Sequence, residues 1–120
     1  MNLIGDVKGK VAVMVDDMID TAGSARAGAL CLKSHGAKSV RIGCTHGVFS
    51  SPAEDRLFDG TFEEIVTTNT IPLADKMKDS RVKVLSVGPM LAKVIENIEE
   101  GEAVSTVYDS LFSHDDIAQQ

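Results

Sequence analysis

The alternation of short apolar segments with amphipathic segments constrains the fold of this chain more than any other feature. The apolar segments are rich in β-branched residues and have the length of buried strands; they span residues 10–15, 39–46, 63–70 and 82–88. The alternation predicts an α/β fold, a three-layer doubly wound sandwich with a mainly parallel sheet and helices on both faces. With 120 residues, the chain fits one domain, expected to span residues 1–120.

Start and stop signals delimit the helical segments, which are predicted at residues 22–36, 51–60 and 89–101. Ser51 is the expected N-cap of the second helix, with Pro52 at its first position. The third helix begins at Pro89 and carries an apolar stripe formed by Leu91, Val94, Ile95 and Ile98. A short turn or helix is expected at 73–80, a fifth strand at 103–109, and a frayed end after about Asp115.

Charge and hydropathy exclude several classes of function. The net charge of −6 disfavours nonspecific binding to nucleic acid or to an anionic membrane. No apolar run is long enough to span a bilayer and no signal-peptide pattern is visible, so we expect a soluble cytoplasmic protein. Cys31 and Cys44 lie in apolar runs and are predicted to be small buried hydrophobes, with a disulfide or a metal pair as the alternative.

The stretch VDDMIDTAGS, residues 15–24, joins the first strand to the first helix. In an open parallel sheet, ligands bind outside the carboxyl ends of the strands, where this stretch lies. Backbone N–H groups near Gly23, the helix dipole and the hydroxyls of Thr21 and Ser24 can hold one phosphate without a basic residue. Asp20 is expected to cap the helix or to shape the turn.

Asp16 and Asp17 suit a different part of a ligand. Ionised carboxylates only accept hydrogen bonds, so these two match sugar hydroxyls or a hydrated Mg²⁺ rather than a phosphate. A sugar phosphate contains both a hydroxyl-rich part and a phosphate. A simple helix cap is the alternative, because Asp, Thr and Ser are common at helix starts.

At these residues the chain resembles a known family. VMVDDMIDTAGS is similar to the phosphoribosyl-diphosphate loop of type I phosphoribosyltransferases. In the same order as in ribose-phosphate diphosphokinases, the chain also contains GDVKGK, THGVFSSPA, TTNTIP and VLSVGPMLAKVIENIEEGEAVS. The resemblance extends from about Gly5 to Tyr108 and is to the C-terminal half of those enzymes, with a phosphoribosyltransferase-like domain.

The resemblance implies a transferase that moves the diphosphoryl group of ATP to the C1 hydroxyl of ribose 5-phosphate, with Mg²⁺ as cofactor. It makes phosphoribosyl diphosphate for nucleotide biosynthesis, and its members assemble into homo-oligomers. Carried over by position, the ribose hydroxyls would bind Asp16 and Asp17. The 5-phosphate would bind Asp20, Thr21, Ala22, Gly23 and Ser24. The resemblance assigns no catalytic or metal-ligating residue here, and it implies that the ATP-binding half is absent from this chain.

Two alternative functions remain open: a stand-alone phosphoribosyltransferase, and a non-catalytic regulatory module similar to the synthetase-associated proteins. Outside the loop, His46 and the stretch TTNTIP at 67–72 follow strands and are candidates to line the same cleft. Arg26 is expected to be a solvated helix residue. His35 is expected to be structural, because it lies beside the helix-ending Gly36.

Overall fold

Four parallel strands form the sheet of the computed structural model, which describes residues 2–111. The strands lie side by side in sequence order, and each neighbouring pair is parallel. They are β1 Val11–Ile19, β2 Ser39–Gly47, β3 Glu64–Thr68 and β4 Val82–Leu85. The predicted α/β class with a parallel sheet is confirmed.

The chain divides into two compact units, Met1–Leu85 and Ser86–Gln120. The first unit contains the sheet, the helices α1 Gly23–Ser34 and α2 Ala53–Leu57, and a 3₁₀ turn at Asp75–Met77. The second contains α3 Gly88–Glu99 and α4 Ser105–Leu111. The expectation of a single domain over residues 1–120 stays a prediction.

In the first unit, α1 and α2 contribute to the same core. Right-handed crossovers between neighbouring parallel strands place their helices on one face of the sheet, and the strand order requires this arrangement here. The buried side chains come from alternate residues of β2 and β3, from both helices and from connecting segments; the largest are Leu57, Phe62, Ile65, Val40 and Met77. Both helices therefore pack against one face of the sheet. The even-numbered residues of β1 and β2 lie on that face.

β1 is longer than the sequence pattern indicated. The expected strand ended at Val15, whereas the observed strand continues through Asp16 and Asp17 to Ile19. Pairing with β2 extends it, because Asp16 lies opposite Cys44 and Met18 lies opposite His46. Ladder hydrogen bonds thus hold the acids in extended backbone, although their side chains do not favour a strand.

A contact at the end of β2 holds the two strand ends together. The backbone N–H groups of Val48 and Phe49 both donate to the Ile19 carbonyl, at 3.0 and 3.1 Å. Phe49 has a φ of 50°, and its buried ring lies directly over Gly47. No side-chain carbon fits at Gly47 without displacing that ring, so the ring position requires a glycine there.

The predicted helix at 51–60 is wrong in its extent. The observed α2 is confined to Ala53–Leu57, with Pro52 at the N-cap, and the Ser51 hydroxyl donates to the Glu54 carboxylate instead of capping the backbone. The helix ends at Phe58. The Phe58 ring lies 4.8 Å from the Arg81 guanidinium, and the Phe58 carbonyl accepts a hydrogen bond from the same guanidinium. This tertiary contact outweighs the helical signal of the following residues.

The predicted fifth strand at 103–109 is wrong, because this segment begins a helix, α4. Val104, Val107, Tyr108 and Leu111 recur at helical spacing and line one apolar pocket of about 350 Å³ with Met90 and Val94. Asn97 fixes the turn before α4. It is fully buried, and its amide donates to the Ala103 carbonyl and the Thr106 hydroxyl.

The predicted stripe on α3 is only partly buried. Val94 lines the apolar pocket, but Leu91, Ile95 and Ile98 are between 49% and 67% exposed. The buried residue of α3 is the polar Asn97, which the apolar periodicity could not identify. The expected fraying after Asp115 lies outside the described residues.

We expect Gly47→Ala to lower the free energy of unfolding by about 1–3 kcal/mol, since the new methyl group would have to displace the buried Phe49 ring. Gly43→Ala is the matched control in the same strand, because its methyl group would meet only the Val66 carbonyl at an ordinary 3.8 Å. Urea unfolding followed by circular dichroism measures both. Equal losses of stability in the two variants would contradict the importance of the Phe49 contact.

Candidate functional site

A pocket of about 220 Å³, here called the loop pocket, lies where β1 leads into α1. Its lining consists of Asp16, Met18, Ile19 and the continuous stretch 20–25. Six of the seven predicted site residues therefore line one pocket: Asp16, Asp20, Thr21, Ala22, Gly23 and Ser24. Its volume is below the roughly 300–1,000 Å³ of pockets for drug-sized ligands, so it suits a smaller molecule.

Ala22 determines how the chain enters α1. It is the N-cap residue and adopts a left-handed conformation with φ 66° and ψ 14°, at a steric cost of about 1–2 kcal/mol for a residue with a Cβ. No side chain within residues 2–111 caps this helix, so the predicted capping role of Asp20 is wrong. The first backbone N–H groups of a helix have no partner within the helix, which makes this end a site for an anion.

Asp17 does not line the loop pocket, although Asp16 does. Successive residues of a strand point to opposite faces, and β1 extends through both acids. The backbone N–H of Met18 donates to the Asp17 carboxylate at 2.8 Å. The pKa of Asp17 lies below its ordinary value, because the Asp16 side chain, the hydrogen bond from Met18 and the nearby His46 all favour the ionised form. Asp17 is therefore an anion at neutral pH.

Arg56 contacts the loop from α2, a role that no sequence pattern predicts. Its Nη1 donates to the Thr21 carbonyl at 3.1 Å. The same nitrogen lies 3.1 Å from the position that a Cβ of residue 23 would occupy, so the guanidinium passes directly beside Gly23. Arg56 is 35 residues from Thr21, and no local pattern predicts such a contact. Because residue 23 is a glycine, the Arg56 guanidinium has room to reach the Thr21 carbonyl.

Arg26 connects α1 to the turn after α2: its side chain is 40% exposed, as expected for a solvated helix residue, and it also forms an ion pair. Its Nε donates to the Asp59 carboxylate at 2.6 Å, and the Asp59 side chain is 28% exposed. Partial burial raises the pKa of Asp59, but hydrogen bonds from Thr61 and Arg26 outweigh it and lower that pKa to about 2. The Arg26 guanidinium thus forms an ion pair with Asp59 that links α1 to the turn after α2.

His46 and the stretch 67–72 meet at the same edge of the sheet. Thr70 donates its hydroxyl proton to the Thr45 carbonyl at 3.1 Å, and its oxygen lies 2.8 Å from Nδ1 of His46, within hydrogen-bond distance. Thr68 donates to the same carbonyl at 2.6 Å. These contacts hold the imidazole of His46 at the edge of the sheet where the acidic end of β1 also lies.

Neither cysteine forms a disulfide. Cys44 is buried as predicted, its thiol donates to the Thr67 hydroxyl at 3.4 Å, and burial raises the pKa of that thiol. Cys31 is only half-buried. Within residues 2–111, no three His, Cys, Asp or Glu side chains come together as a metal site, and no helix there is long and apolar enough to cross a membrane.

A family model described as "Phosphoribosyl synthetase-associated domain" matches residues 1–109 of the chain. The match thus includes β1, the loop pocket, the whole sheet and most of the second unit. It gives no support to the narrower assignment of the chain to the C-terminal half of the longer enzymes, which stays a prediction.

Curated relatives have the enzyme name that the resemblance indicated. The chain is 50% identical over 108 residues to "Ribose-phosphate pyrophosphokinase 2, chloroplastic" of Spinacia oleracea, covering 90% of this chain and 27% of that protein. It is 48% identical over 108 residues to "Ribose-phosphate pyrophosphokinase" of Nostoc sp., covering 90% of this chain and 33% of that protein. The chain therefore spans about a third or less of the length of these relatives.

A solved structure has the same fold. The crystal structure of phosphoribosylpyrophosphate synthetase from Mycobacterium smegmatis aligns with a TM-score of 0.78 and 42% identity. The alignment covers 82% of this chain and 33% of that one. The predicted relationship to a family of transferases is confirmed by these names.

We expect Arg56→Gln to loosen the loop without unfolding the protein. Losing a hydrogen bond from a charged donor, about 1.5 kcal/mol, should speed amide hydrogen exchange roughly tenfold at Arg26, whose N–H bonds the Ala22 carbonyl at the end of the loop. Lys76→Gln is the control, because Lys76 contacts Ser51 and Glu54 beside α2 but not the loop. Unchanged exchange at Arg26 in Arg56→Gln would show that Arg56 does not support the loop.

Proposed function

The chain belongs to the phosphoribosyl synthetase-associated domain family, and from this premise we propose that it binds ribose 5-phosphate in the loop pocket. The observation that carries the proposal is the composition of that pocket: an acid from the end of β1 and the uncapped N-terminus of α1 line one small cavity. One half accepts hydrogen bonds and the other donates them. A sugar phosphate needs both.

The phosphate would bind at the start of α1. The unpaired N–H groups of the first turn point toward the pocket end, and the helix dipole favours negative charge there. Thr21 and Ser24 add two hydroxyl donors to the lining, and the left-handed turn at Ala22 directs the chain around the anion. Asp20 also lines the pocket and would contact the anion through its backbone rather than its carboxylate, because two negative groups repel each other.

The sugar would bind at the end of β1. Asp16 lines the loop pocket and can accept hydrogen bonds from ribose hydroxyls. Asp17 lies outside the lining, so it would contact only a group that extends beyond the pocket. His46, which lies opposite Met18 at this edge of the sheet, would meet the same group.

Mg²⁺ is the cofactor that the family resemblance implies. The acids at the end of β1 suit it as a small number of carboxylate ligands. Mg²⁺ keeps several waters and is usually bound by one or two carboxylates together with substrate phosphates. Asp16, which lines the pocket, could supply one such carboxylate, and the ion would neutralise charge on a phosphate-bearing substrate. No larger protein cage is needed for this role.

Diphosphoryl transfer from ATP would require cations that the loop pocket does not provide. The reaction accumulates negative charge that must be stabilised, yet no Lys, Arg or His lies among the described residues of the lining. The nearby guanidiniums of Arg56 and Arg26 are engaged with Thr21 and Asp59. We therefore propose that this chain supplies the ribose 5-phosphate site, corresponding to the C-terminal half of a ribose-phosphate diphosphokinase. The ATP site and the catalytic cations would come from other parts of the enzyme.

A regulatory module without catalysis is the second candidate, and the family description, a synthetase-associated domain, favours it. The two candidates differ at the loop pocket. A module that acts only by association has no need of Asp16, Thr21 and Ser24 as ligand groups. Binding of ribose 5-phosphate therefore separates them.

We expect Asp20→Ala combined with Thr21→Ala to weaken ribose 5-phosphate binding at least about tenfold, because the loop loses a donor and the residue that shapes its turn. Isothermal titration calorimetry with Mg²⁺ measures the affinity, first for ribose 5-phosphate and then for ATP. We expect the unmodified chain to bind the former and not the latter.

The matched control is Asp75→Ala combined with Ser80→Ala, which removes the same charge and one hydroxyl at exposed positions outside the loop pocket. Its affinity should equal that of the unmodified chain. Failure of the unmodified chain to bind ribose 5-phosphate, or equal weakening in both double variants, would rule out the loop assignment and leave the regulatory module as the better candidate.

A further inference from the structure

A second and larger pocket lies at the opposite end of the strands from the loop pocket. Its volume is about 540 Å³, and we call it the basic pocket after the side chains that line it: Lys33, Lys38, Arg41, Ser39, Thr61 and Glu63. The first residues of β1 and β2 form its floor, whereas the last residues of β1 form part of the loop pocket. At about 3.3 Å per residue, the nine residues of β1 separate the two pockets by roughly 25 Å.

The charge of the basic pocket contrasts with that of the whole chain. The protein has a net charge of −6, yet three cations and one carboxylate line this pocket. The neighbouring segment adds Lys8, whose side chain lies against Gly36, and Lys10, whose carbonyl accepts the backbone N–H of Lys38. Five of the 12 basic residues are therefore concentrated at this edge.

Most of these cations have no counterion in the protein. Within residues 2–111, no carboxylate lies within ion-pair distance of Lys8, Lys10, Lys33 or Lys38. Lys33 donates only to the Gly60 carbonyl, at 3.1 Å. Mutual repulsion of unpaired like charges costs free energy, and a bound anion removes that cost.

Arg41 is partly compensated but not satisfied. Its guanidinium is 3.8 Å from the Glu63 carboxylate and 3.7 Å from the Glu64 carboxylate, distances too long for good hydrogen bonds. Its Nε is buried and has no hydrogen-bond partner among the described residues. A bound anion or an ordered water can satisfy such a donor.

We propose that the basic pocket binds a small anion that carries more than one phosphate. Three lining cations, with two further lysines beside them, exceed what a single phosphate needs and suit a group with three or four negative charges. The hydroxyls of Ser39 and Thr61 add donors for the remaining oxygens. The pocket is more than twice as large as the loop pocket, so it also has room for an organic part attached to the phosphates.

The test uses inorganic diphosphate as the probe on the full 120-residue chain. We expect calorimetry to detect binding, and NMR amide shifts to cluster at residues 33, 38–41 and 60–63. Lys33→Gln combined with Lys38→Gln should weaken the affinity at least tenfold. Lys78→Gln combined with Lys93→Gln changes the net charge equally at exposed positions away from the pocket and should leave the affinity within about twofold.

Lys38→Glu provides a variant whose folding is not in question, because the Lys38 side chain makes no hydrogen bond or ion pair within residues 2–111. It should abolish diphosphate binding, and the melting temperature without ligand should not fall, because the substitution removes one of the mutually repelling charges. Absence of binding to the unmodified chain, equal weakening in both lysine double variants, or shifts confined to residues 20–25 would each overturn the proposal. None of these outcomes depends on whether ribose 5-phosphate binds the loop pocket.

Discussion

Every polar group of the loop pocket depends on the parallel pairing of β1 with β2. The pairing extends from Val11 opposite Ser39 to Ile19 opposite Gly47, so the two strands end at the same edge of the sheet. Asp16 and His46 are thereby brought to one edge, although 30 residues and a helix separate them in sequence. The hydrogen bonds from Val48 and Phe49 to the Ile19 carbonyl close this end of the pair. The strand pairing and these two hydrogen bonds together fix the position at which the chain leaves β1 and turns toward α1.

The turn itself combines local strain with support from a distance. A residue with a Cβ pays for a left-handed conformation, and Ala22 adopts one while nearly fully buried. Arg56 holds the preceding carbonyl, and the ion pair between Arg26 and Asp59 fixes the helix that follows. Because these contacts come from α2 and the turn beyond it, the loop is organised by the fold before any ligand binds. Such preorganisation lowers the entropic cost of binding a small ligand.

Sequence patterns identified the elements and the loop but not the contacts that position them. The four strands and the helices α1 and α3 were predictable because strands and helices follow different apolar periodicities. The segment 103–109 predicts a strand by its β-branched residues, whereas the helical spacing of Val104, Val107 and Leu111 fits the observed α4. Local propensity predicts that β1 ends before Asp16, but pairing with β2, a tertiary effect, extends the strand through the acids. Arg56 and Asp59 lie far from the loop in sequence, so no local signal could have indicated their roles.

The sheet carries opposite charges at its two ends, and this has a physical consequence for its ligands. Acids are concentrated where the strands of β1 and β2 end, and unpaired lysines are concentrated where they begin. A phosphate therefore approaches the loop pocket against the field of Asp16, Asp17 and Asp20, whereas the basic pocket attracts it. Binding at the loop pocket must then rely on short-range hydrogen bonds from the start of α1 and on neutralisation of the acids by a cation or by sugar hydroxyls. An anion with several phosphates and no hydroxyl-rich part is accordingly disfavoured at the loop pocket and favoured at the basic pocket. The distribution of charge alone therefore gives the two pockets different ligand preferences.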